Sequence, residues 1–320
     1  MSDADEMARP RPMWRADAIP TPVLAIFRGL GQVFFQENAL TGAFFALGIA
    51  VNSPKMALAA IIGSAIGWAT ARLLKFDEAE TTAGIYGFNA VLVAIAMLLF
   101  FELNVASVVL LIVGCILSAL ITWLARRYLP FPTYTAPFIV TTWLLYLVGP
   151  SVGATLLDLG GPGRALGPIE TVAKGIGQVM FQGSVWTGLL FLIGIGLNNW
   201  QHAIWVVVAS ALGALVAKYH VIPPMGALDA ERVVDRLITE KIGFGLYGYN
   251  ATLTAIALFL WRRSLIPVLL GIVLSVPLTD LFPRLGLPAL TAPFVLAAWI
   301  VLAVGWLETR LFPDERSPTS

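Results

Sequence analysis

The feature that most restricts the fold of this chain is an internal repeat. Residues 29–52 read GLGQVFFQENALTGAFFALGIAVN and return at 175–198 as GIGQVMFQGSVWTGLLFLIGIGLN, 146 positions later. Of the 24 aligned pairs, 12 are identical, and they include polar and aromatic residues that an apolar composition alone would not reproduce in the same order. The chain is therefore built from two related halves.

Two further blocks repeat in the same order. GIYGFNAVLVAIA at 84–96 matches GLYGYNATLTAIA at 245–257, and TAPF at 135–138 matches TAPF at 291–294. Their displacements are 161 and 156 positions, so residues were gained or lost only between the blocks. A duplication of this length in an apolar chain is typical of membrane transport proteins built from two halves around a shared pathway.

The composition indicates that the solvent of this chain is lipid. Apolar residues make up 58% of it and charged residues 12%, whereas about 25% is charged in ordinary globular proteins. Most of the uncharged runs are long enough for the roughly 20 residues of a membrane-spanning helix. We predict an all-α polytopic membrane protein with five spans in each half, near 23–50, 55–74, 89–101, 104–125, 134–150, 176–197, 203–218, 249–261, 264–281 and 289–307.

Two of the predicted spans, 89–101 and 249–261, are short, and each follows a glycine-rich stretch that contains YGFN or YGYN. Short, glycine-interrupted segments at matching places in two halves indicate broken or re-entrant helices that line a central site. We therefore expect one re-entrant half-helix per half around a central pore.

The basic residues predict the orientation of the chain. With five spans per half, most Lys and Arg clusters fall on one side of the membrane, which the positive-inside rule makes the cytoplasm. Both termini are then cytoplasmic, and the two halves are inserted in opposite senses. The clusters are Arg9, Arg11, Arg15, Arg72, Lys75, Arg126, Arg127, Arg262, Arg263 and Arg310; the exceptions are Lys218, Lys241 and Arg284.

The predicted spans also locate the segments outside them. The extra residues of the second half coincide with the charged segment 223–241, predicted to lie on the outer side. The N-terminus has no apolar core followed by a small-residue cleavage site, so it does not resemble a secretory signal. The parts of the chain are an N-terminal tail 1–22, a first repeat 23–150, a linker 151–174, a second repeat 175–307 and a C-terminal tail 308–320.

Side chains that carry catalytic or metal chemistry are scarce. No His, Cys, Asp or Glu cluster has metal-ligand spacing, and no GxSxG, HExxH or phosphate-binding loop is present. Cys115 lies within an apolar span, where a packed thiol is expected, and a net charge of +1 argues against nucleic acid. We predict no enzyme activity, metal or cofactor. The ionisable residues nearest the spans sit at their edges: Glu37, Glu102, Asp280, His202 and His220.

The duplicated polar and aromatic residues are the candidate pore lining. Ions would lose their hydration in such a lining without compensating charge. A flat, neutral molecule with several N–H donors, such as urea, can pass between ring faces while oxygen atoms accept its hydrogen bonds in succession. Each half offers an amide, two aromatic rings, a leucine and a hydroxyl: Gln32, Phe35, Phe88, Leu92 and Thr135, then Gln178, Phe181, Tyr249, Leu253 and Thr291.

Other interpretations of these residues stay open at this point. Phenylalanines in spans often pack or face lipid, and Thr and Gln often make interhelical hydrogen bonds. The leading hypothesis is a passive urea channel. Alternatives are the same fold conducting short amides, ammonia or water; an ion-coupled transporter, which would need a buried ionisable residue or a sodium site; and an intramembrane enzyme or structural subunit.

The repeated Q-V-x-F-Q followed by T-G, the Y-G-[FY]-N-A and the P-x-x-T-A-P-F resemble the signatures of the urea transporter family. The resemblance covers most of residues 28–307. It implies two inverted five-helix halves, each with a re-entrant half-helix, and a homotrimer in which every protomer has its own pore. It also implies passive urea permeation without an ion or ATP.

The resemblance also implies a role for each candidate residue. Glu37 departs from the asparagine expected after the glutamine, and Tyr249 stands where the first half has Phe88. A compact chain without long loops favours a bacterial inner membrane. By resemblance, polar sites contain Gln32 and Gln178, slot walls contain Phe35, Phe88, Phe181 and Tyr249, apolar sides contain Leu92 and Leu253, and the central constriction contains Thr135 and Thr291.

Overall fold

The computed structural model describes residues 21–158, 167–220 and 239–311. The predicted tails 1–22 and 308–320 and the charged segment 223–241 fall mainly outside these ranges. The described residues form helices and no β-strand beyond a single bridge. The helices used below are α1 Thr21–Gln32, α2 Ala39–Asn52, α3 Pro54–Leu73, α4 Glu78–Thr82, α5 Phe88–Phe100, α6 Val105–Tyr128, α7 Ala136–Val148, α8 Pro168–Gly177, α9 Val185–Asn198, α10 Trp200–His220, α11 Gly248–Trp261, α12 Leu265–Arg284 and α13 Ala292–Leu311.

Polar side chains fix where several helices begin. Asn38 and Ser184, at matching repeat positions, accept hydrogen bonds from the first turns of α2 and α9, which satisfies backbone N–H groups that have no partner within a helix. Asn104 does the same for α6. The boundary predicted between the spans 176–197 and 203–218 is confirmed, because α9 ends at Asn198 and α10 begins at Trp200.

Among the described residues, five helices are long and apolar enough to cross a membrane, and the bent pair of α8 and α9 counts as a sixth span if taken together. The five are α3, α6, α10, α12 and α13. Their outward faces carry large apolar side chains in contact with the surroundings: Leu58 is 60% exposed, Val109 51% and Ile266 77%. Apolar surface on this scale would be unfavourable in water and belongs in hydrocarbon. The prediction of an all-α integral membrane protein is confirmed.

The predicted spans at 23–50 and 176–197 are each divided into two helices. α1 and α2 are separated by residues 33–38, and the α8 segment bends by 75° against α9. Phe35 and Phe181 adopt left-handed backbone angles, φ 59° and 58°, which a right-handed helix cannot continue through. The predicted spans ran across these breaks although polar residues lie in them, VFFQEN at 33–38 and FQGS at 181–184.

The helices at the two repeated glycine-rich stretches are short, as predicted. α5 has 13 residues and α11 has 14; at about 1.5 Å per residue they span roughly 20 Å, less than the roughly 30 Å hydrocarbon layer. Each starts within its Y-G-[FY]-N motif. α8 begins at Pro168 and overlaps the end of the predicted linker 151–174.

The two halves contact each other through α2 and α9. The Thr41 hydroxyl donates to the Gly194 carbonyl at 2.8 Å, and the Thr187 hydroxyl donates to the Gly48 carbonyl at 2.7 Å. A side chain on Gly48 would meet the Phe191 ring at 2.9 Å, so the glycine permits the close approach. We call such contacts reciprocal: a residue of one half meets the other half, and its repeat equivalent does the same in return.

Candidate functional site

The centre of the candidate site is a hydrogen bond between Thr135 and Thr291. Each threonine directly precedes an A-P-F helix, α7 or α13. A threonine there usually caps its own helix, yet the Thr135 side chain makes no such bond. Instead the two hydroxyl oxygens lie 2.7 Å apart, and the residues are only 2% and 1% exposed. The N-terminal ends of two helices, one from each half, therefore meet here.

Aromatic rings flank this centre reciprocally. The Phe35 ring lies 6.1 Å from the ring of Phe294, which belongs to the other half, and the Phe181 ring lies 6.1 Å from the ring of Phe138. Both contacts are edge-to-face, an arrangement that aromatic pairs prefer. The Q-x-x-F block of each half thus packs on the TAPF block of the other, so neither half forms the site alone.

Backbone strain is concentrated at this site. Among the described residues, five non-glycine residues have positive φ, and four of them form two repeat pairs: Phe35 with Phe181, and Tyr134 with Leu290. The second pair, at 46° and 48°, directly precedes the two central threonines. Such conformations are costly and persist where surrounding structure enforces them, often at binding sites. The sequence offers no signal for them, because glycine would be the expected residue.

The predicted glutamines are held by the other repeated block of their own half. The Gln32 side-chain amide donates to the Ala83 carbonyl at 3.0 Å, and the Gln178 amide donates to the Phe244 carbonyl at 3.3 Å. Ala83 and Phe244 occupy matching repeat positions, directly before the glycines that open the Y-G-[FY]-N blocks. Each side-chain amide thus uses an N–H group to hold the turn before the short helix of its own half.

Phe88, Leu92, Tyr249 and Leu253 are all buried, on α5 and α11. Within the described residues, neither Phe88 nor Tyr249 joins the ring contacts around Phe35 and Phe181, so the structure does not place all four predicted walls against one another. The Tyr249 hydroxyl donates to the Leu290 carbonyl at 2.8 Å. Phe88, the repeat equivalent of Tyr249, has no hydroxyl, so the first half lacks this hydrogen bond.

Sequence reasoning missed two asparagines that hold the site together. Asn89 accepts from the Phe138 backbone N–H at 3.2 Å, and its amide donates to Thr122 at 3.0 Å. Asn250 accepts from the Phe294 N–H, also at 3.2 Å. Both asparagines are fully buried and fasten an A-P-F helix start to the neighbouring short helix. The available signal was their identity in both copies of Y-G-[FY]-N.

Two tryptophans, also missed, connect the halves around the central threonines. The Trp143 indole N–H donates to the Pro288 carbonyl at 2.8 Å, and the Trp299 N–H donates to the Pro132 carbonyl at 2.9 Å. Each proline opens a P-x-x-T-A-P-F motif, and each tryptophan lies in the other half. These reciprocal bonds hold the two strained loops that precede Thr135 and Thr291.

Charged groups form a cluster away from this centre in the first half. The Tyr86 hydroxyl donates to the Glu80 carboxylate, which also accepts from the Arg126 guanidinium at 2.9 Å. Burial, and next the hydrogen bond to Glu80, raise the pKa of Tyr86 above its ordinary value, so the phenol stays a proton donor at neutral pH. The cluster links α4 and α6 beside the glycine-rich turn before α5.

The second half has the same kind of cluster with its charges exchanged. Lys241 stands at the position equivalent to Glu80, and its ammonium lies 3.4 Å from the Asp280 carboxylate. The Tyr247 hydroxyl donates to Asp280 at 3.0 Å. In the part of the chain that the structure describes, no charged side chain hydrogen-bonds to any of the ten predicted lining residues. Glu37, the departure noted in the sequence, is exposed.

A family profile described as "Urea transporter" matches residues 23–223 and 233–305. The chain belongs to this family. The match spans both halves and every motif on which the resemblance rested, so that recognition is confirmed. The family is one of transporters, which confirms that the chain is not an enzyme.

Curated relatives agree over most of the chain. Urea transporter 1 of sheep (Ovis aries) is 27% identical over 310 residues, which covers 87% of this chain and 75% of the relative. Urea transporter 1 of mouse (Mus musculus) is 26% identical over 315 residues, with the same coverage. The sheep and mouse proteins are thus similar to this chain along its length, not in one segment.

Proposed function

We propose that this protein conducts urea passively, down its concentration gradient, through a pore within each protomer. The family match and the relatives named for urea transport support the substrate. The observation that carries the mechanism is the buried Thr135–Thr291 hydrogen bond, at which both halves present uncharged hydroxyls. A small solute that exchanges water hydrogen bonds for hydroxyl and carbonyl bonds passes such a centre without a large net free-energy change.

The electrostatics of this centre disfavour cations. The N-terminal end of a helix carries a partial positive charge of about half an electron, and the ends of α7 and α13 meet here. Coupling ions and protons are usually held by ionisable side chains within the spans, whereas Thr135 and Thr291 supply only hydroxyl groups. The urea carbonyl oxygen is attracted to the same positive helix ends, and its N–H groups are free to bond to oxygen atoms.

Each lining residue has a proposed role in this pathway. The carbonyl oxygens of the two glutamine side chains accept urea N–H groups, aromatic rings confine the flat solute, leucines close the apolar sides and the threonines form the constriction. The reciprocal Phe35–Phe294 and Phe181–Phe138 contacts and the amide geometry support this assignment. The residues are Gln32, Gln178, Phe35, Phe88, Phe181, Tyr249, Leu92, Leu253, Thr135 and Thr291.

We further propose that the two halves are inverted relative to each other, with both termini in the cytoplasm. Reciprocal contacts such as Thr41 to Gly194 and Thr187 to Gly48 support a two-fold relation between the halves. The positive-inside distribution supports the orientation. The proposed division is a tail 1–22, a repeat 23–150, a linker 151–174, a repeat 175–307 and a tail 308–320.

Assembly and location complete the proposal: a homotrimer, surrounded by lipid, in a bacterial inner membrane. The apolar outward faces of the long helices support contact with lipid or with neighbouring protomers. Native mass spectrometry of the detergent-released protein tests the assembly. We expect three times the 34.4 kDa protomer mass, and a monomer or dimer would contradict it.

The test of function is stopped-flow efflux from proteoliposomes that contain the purified protein, with empty liposomes as the control. We expect rapid urea efflux without any ion gradient, faster than that of acetamide or glycerol, and unchanged when a sodium or proton gradient is imposed. Flux that requires such a gradient would contradict the passive mechanism. Faster passage of ammonia, water or acetamide than of urea would show that the main substrate of this pore is another small neutral molecule.

A further inference from the structure

Two hydroxyls on α7 are buried without a hydrogen-bond partner. Thr141 and Thr142 are both 0% exposed, and among the described residues neither side-chain oxygen has a partner. An unpaired buried hydroxyl is unfavourable, and buried polar groups are nearly always paired. Other buried helical threonines donate to the carbonyl four residues earlier at 2.7–2.9 Å, namely Thr70, Thr122, Thr254 and Thr279.

The two threonines face different neighbours. A side chain built on Gly114 of α6 would lie 3.7 Å from the Thr141 methyl group, so Thr141 packs against α6. Thr142 follows Phe138 by four residues and Thr135 by seven, so all three lie on one face of α7. Thr142 is therefore aligned with the central hydroxyl pair, two turns further along the helix.

Ring contacts define what this face of α7 meets. Phe138, one turn before Thr142, lies 6.1 Å from Phe181. Tyr146, one turn after Thr142, lies 5.4 Å from Phe100, and Phe100 lies 6.4 Å from Phe181. Thr142 thus lies on α7 between two residues that both contact the Phe100–Phe181 ring pair.

The second half shows that packing does not require these hydroxyls. The matching segment reads TAPFVLAAWIV, so Ala297 and Ala298 stand where the first half has Thr141 and Thr142. Both alanines are fully buried. The unpaired hydroxyls are therefore confined to one end of a site that is otherwise largely repeated.

We propose that the Thr142 hydroxyl is an additional solute contact, which hydrogen-bonds urea as it passes the Phe181 ring, on the first-half side of the Thr135–Thr291 centre. This inference rests on the proposed function. A hydroxyl both donates and accepts, so it bonds to the carbonyl or the N–H group of a small amide. The contact exists in the first half only, which makes the two ends of the pore chemically unequal.

The test compares urea efflux from proteoliposomes that contain wild-type protein or one of three variants. Thr142→Val keeps the shape and removes the hydroxyl, Thr142→Ser restores it, and Thr141→Val is the matched control for a buried, unpaired threonine. Loss of one hydrogen bond to the solute reduces urea flux roughly two- to tenfold in Thr142→Val. Flux in Thr142→Ser and Thr141→Val stays near wild type.

Thermal unfolding in detergent separates solute contact from structural effects. Since removal of an unpaired buried hydroxyl relieves an unfavourable group, Thr142→Val and Thr141→Val both keep or raise the apparent Tm. Wild-type urea flux in Thr142→Val, or an equal reduction in Thr141→Val, overturns the inference while the proposed function stands. Absence of urea flux in the wild-type protein overturns both.

Discussion

In each half, an asparagine of the short helix holds the start of the A-P-F helix with matching geometry. Asn89 accepts from Phe138 and Asn250 accepts from Phe294, both at 3.2 Å. The charged clusters, in contrast, have exchanged signs: Glu80 pairs with a base, and its equivalent Lys241 pairs with an acid. Buried backbone groups have few alternative partners, so their arrangement is the same in both halves, whereas an ion pair tolerates exchange if both partners change.

A second difference between the halves also changes the residue type and keeps the interaction. The Gln36 amide donates to His202 Nδ1 at 2.9 Å, and the Gln182 amide donates to the Met56 sulfur at 3.3 Å. His202 and Met56 occupy matching repeat positions. Both are acceptors for the same donor, so the hydrogen-bonding function is retained although the residue type differs.

The largest effect is expected at the asparagines. Asn89→Ala leaves the buried Phe138 N–H without an acceptor, which destabilises the fold by about 1–3 kcal/mol. Asn250→Ala does the same to Phe294. Thermal unfolding in detergent should show a fall of several degrees in apparent Tm for both variants, with exposed Ser151→Ala as the control. A large fall for one asparagine and none for the other would break the comparison between the halves.

The next effect concerns the central threonines. Thr135→Val and Thr291→Val each remove one side of the same hydrogen bond, and each is expected to reduce urea flux several-fold while the protein still folds. The double variant should lose less than the product of the single effects, because both substitutions break one interaction. Stopped-flow efflux measures this, and unchanged flux in both single variants would remove the threonines from the pore.

Phe88 and Tyr249 provide a test of selectivity. Phe88→Ala removes a proposed slot wall and is expected to admit methylurea, with a several-fold rise in its flux relative to urea. Phe88→Tyr introduces the hydroxyl of the other half and serves as the matched variant that keeps the ring. A methylurea-to-urea ratio that does not change in Phe88→Ala would assign Phe88 to packing.

The smallest effect is expected for the exchanged ion pairs. Glu80 and Arg126 are 29% and 39% exposed, and pairs of this kind contribute about 1 kcal/mol or less. Glu80→Lys places two bases together and lowers the apparent Tm slightly, whereas Glu80→Lys combined with Arg126→Glu reproduces the charge order of the second half and restores it. If the apparent Tm of the double variant does not recover, the Glu80–Arg126 contact depends on more than the charges of the two side chains.

Much of this architecture was predictable because the repeat marks equivalent residues. It identified Thr135 with Thr291 and Phe35 with Phe181, and the predicted end of the span 176–197 lies one residue before the end of α9. Helix content and the membrane environment followed from composition. The hydroxyl-bearing Tyr249 was recognised as a departure, although its bond to Leu290 was not foreseen.

The remaining features depend on contacts that a sequence does not encode locally. A left-handed φ at Phe35 or Phe181 is imposed by surrounding packing, so the breaks inside 23–50 and 176–197 were not predicted. The repeat pairs residues by position but does not say whether partners lie in the same half or across halves. The contact of Phe35 with Phe294, and the anchoring by Asn89, therefore required the structure.

The central claim is that one pore is built jointly by the Q-x-x-F block of each half and the TAPF block of the other. The most direct measurement is a crystal structure of the protein with selenourea, in which anomalous scattering locates the selenium. We expect selenium peaks on a line that passes between Phe35 and Phe294, the Thr135–Thr291 pair, and Phe181 and Phe138. Peaks confined to other surfaces of the protomer, with this line empty at saturating selenourea, would contradict the account.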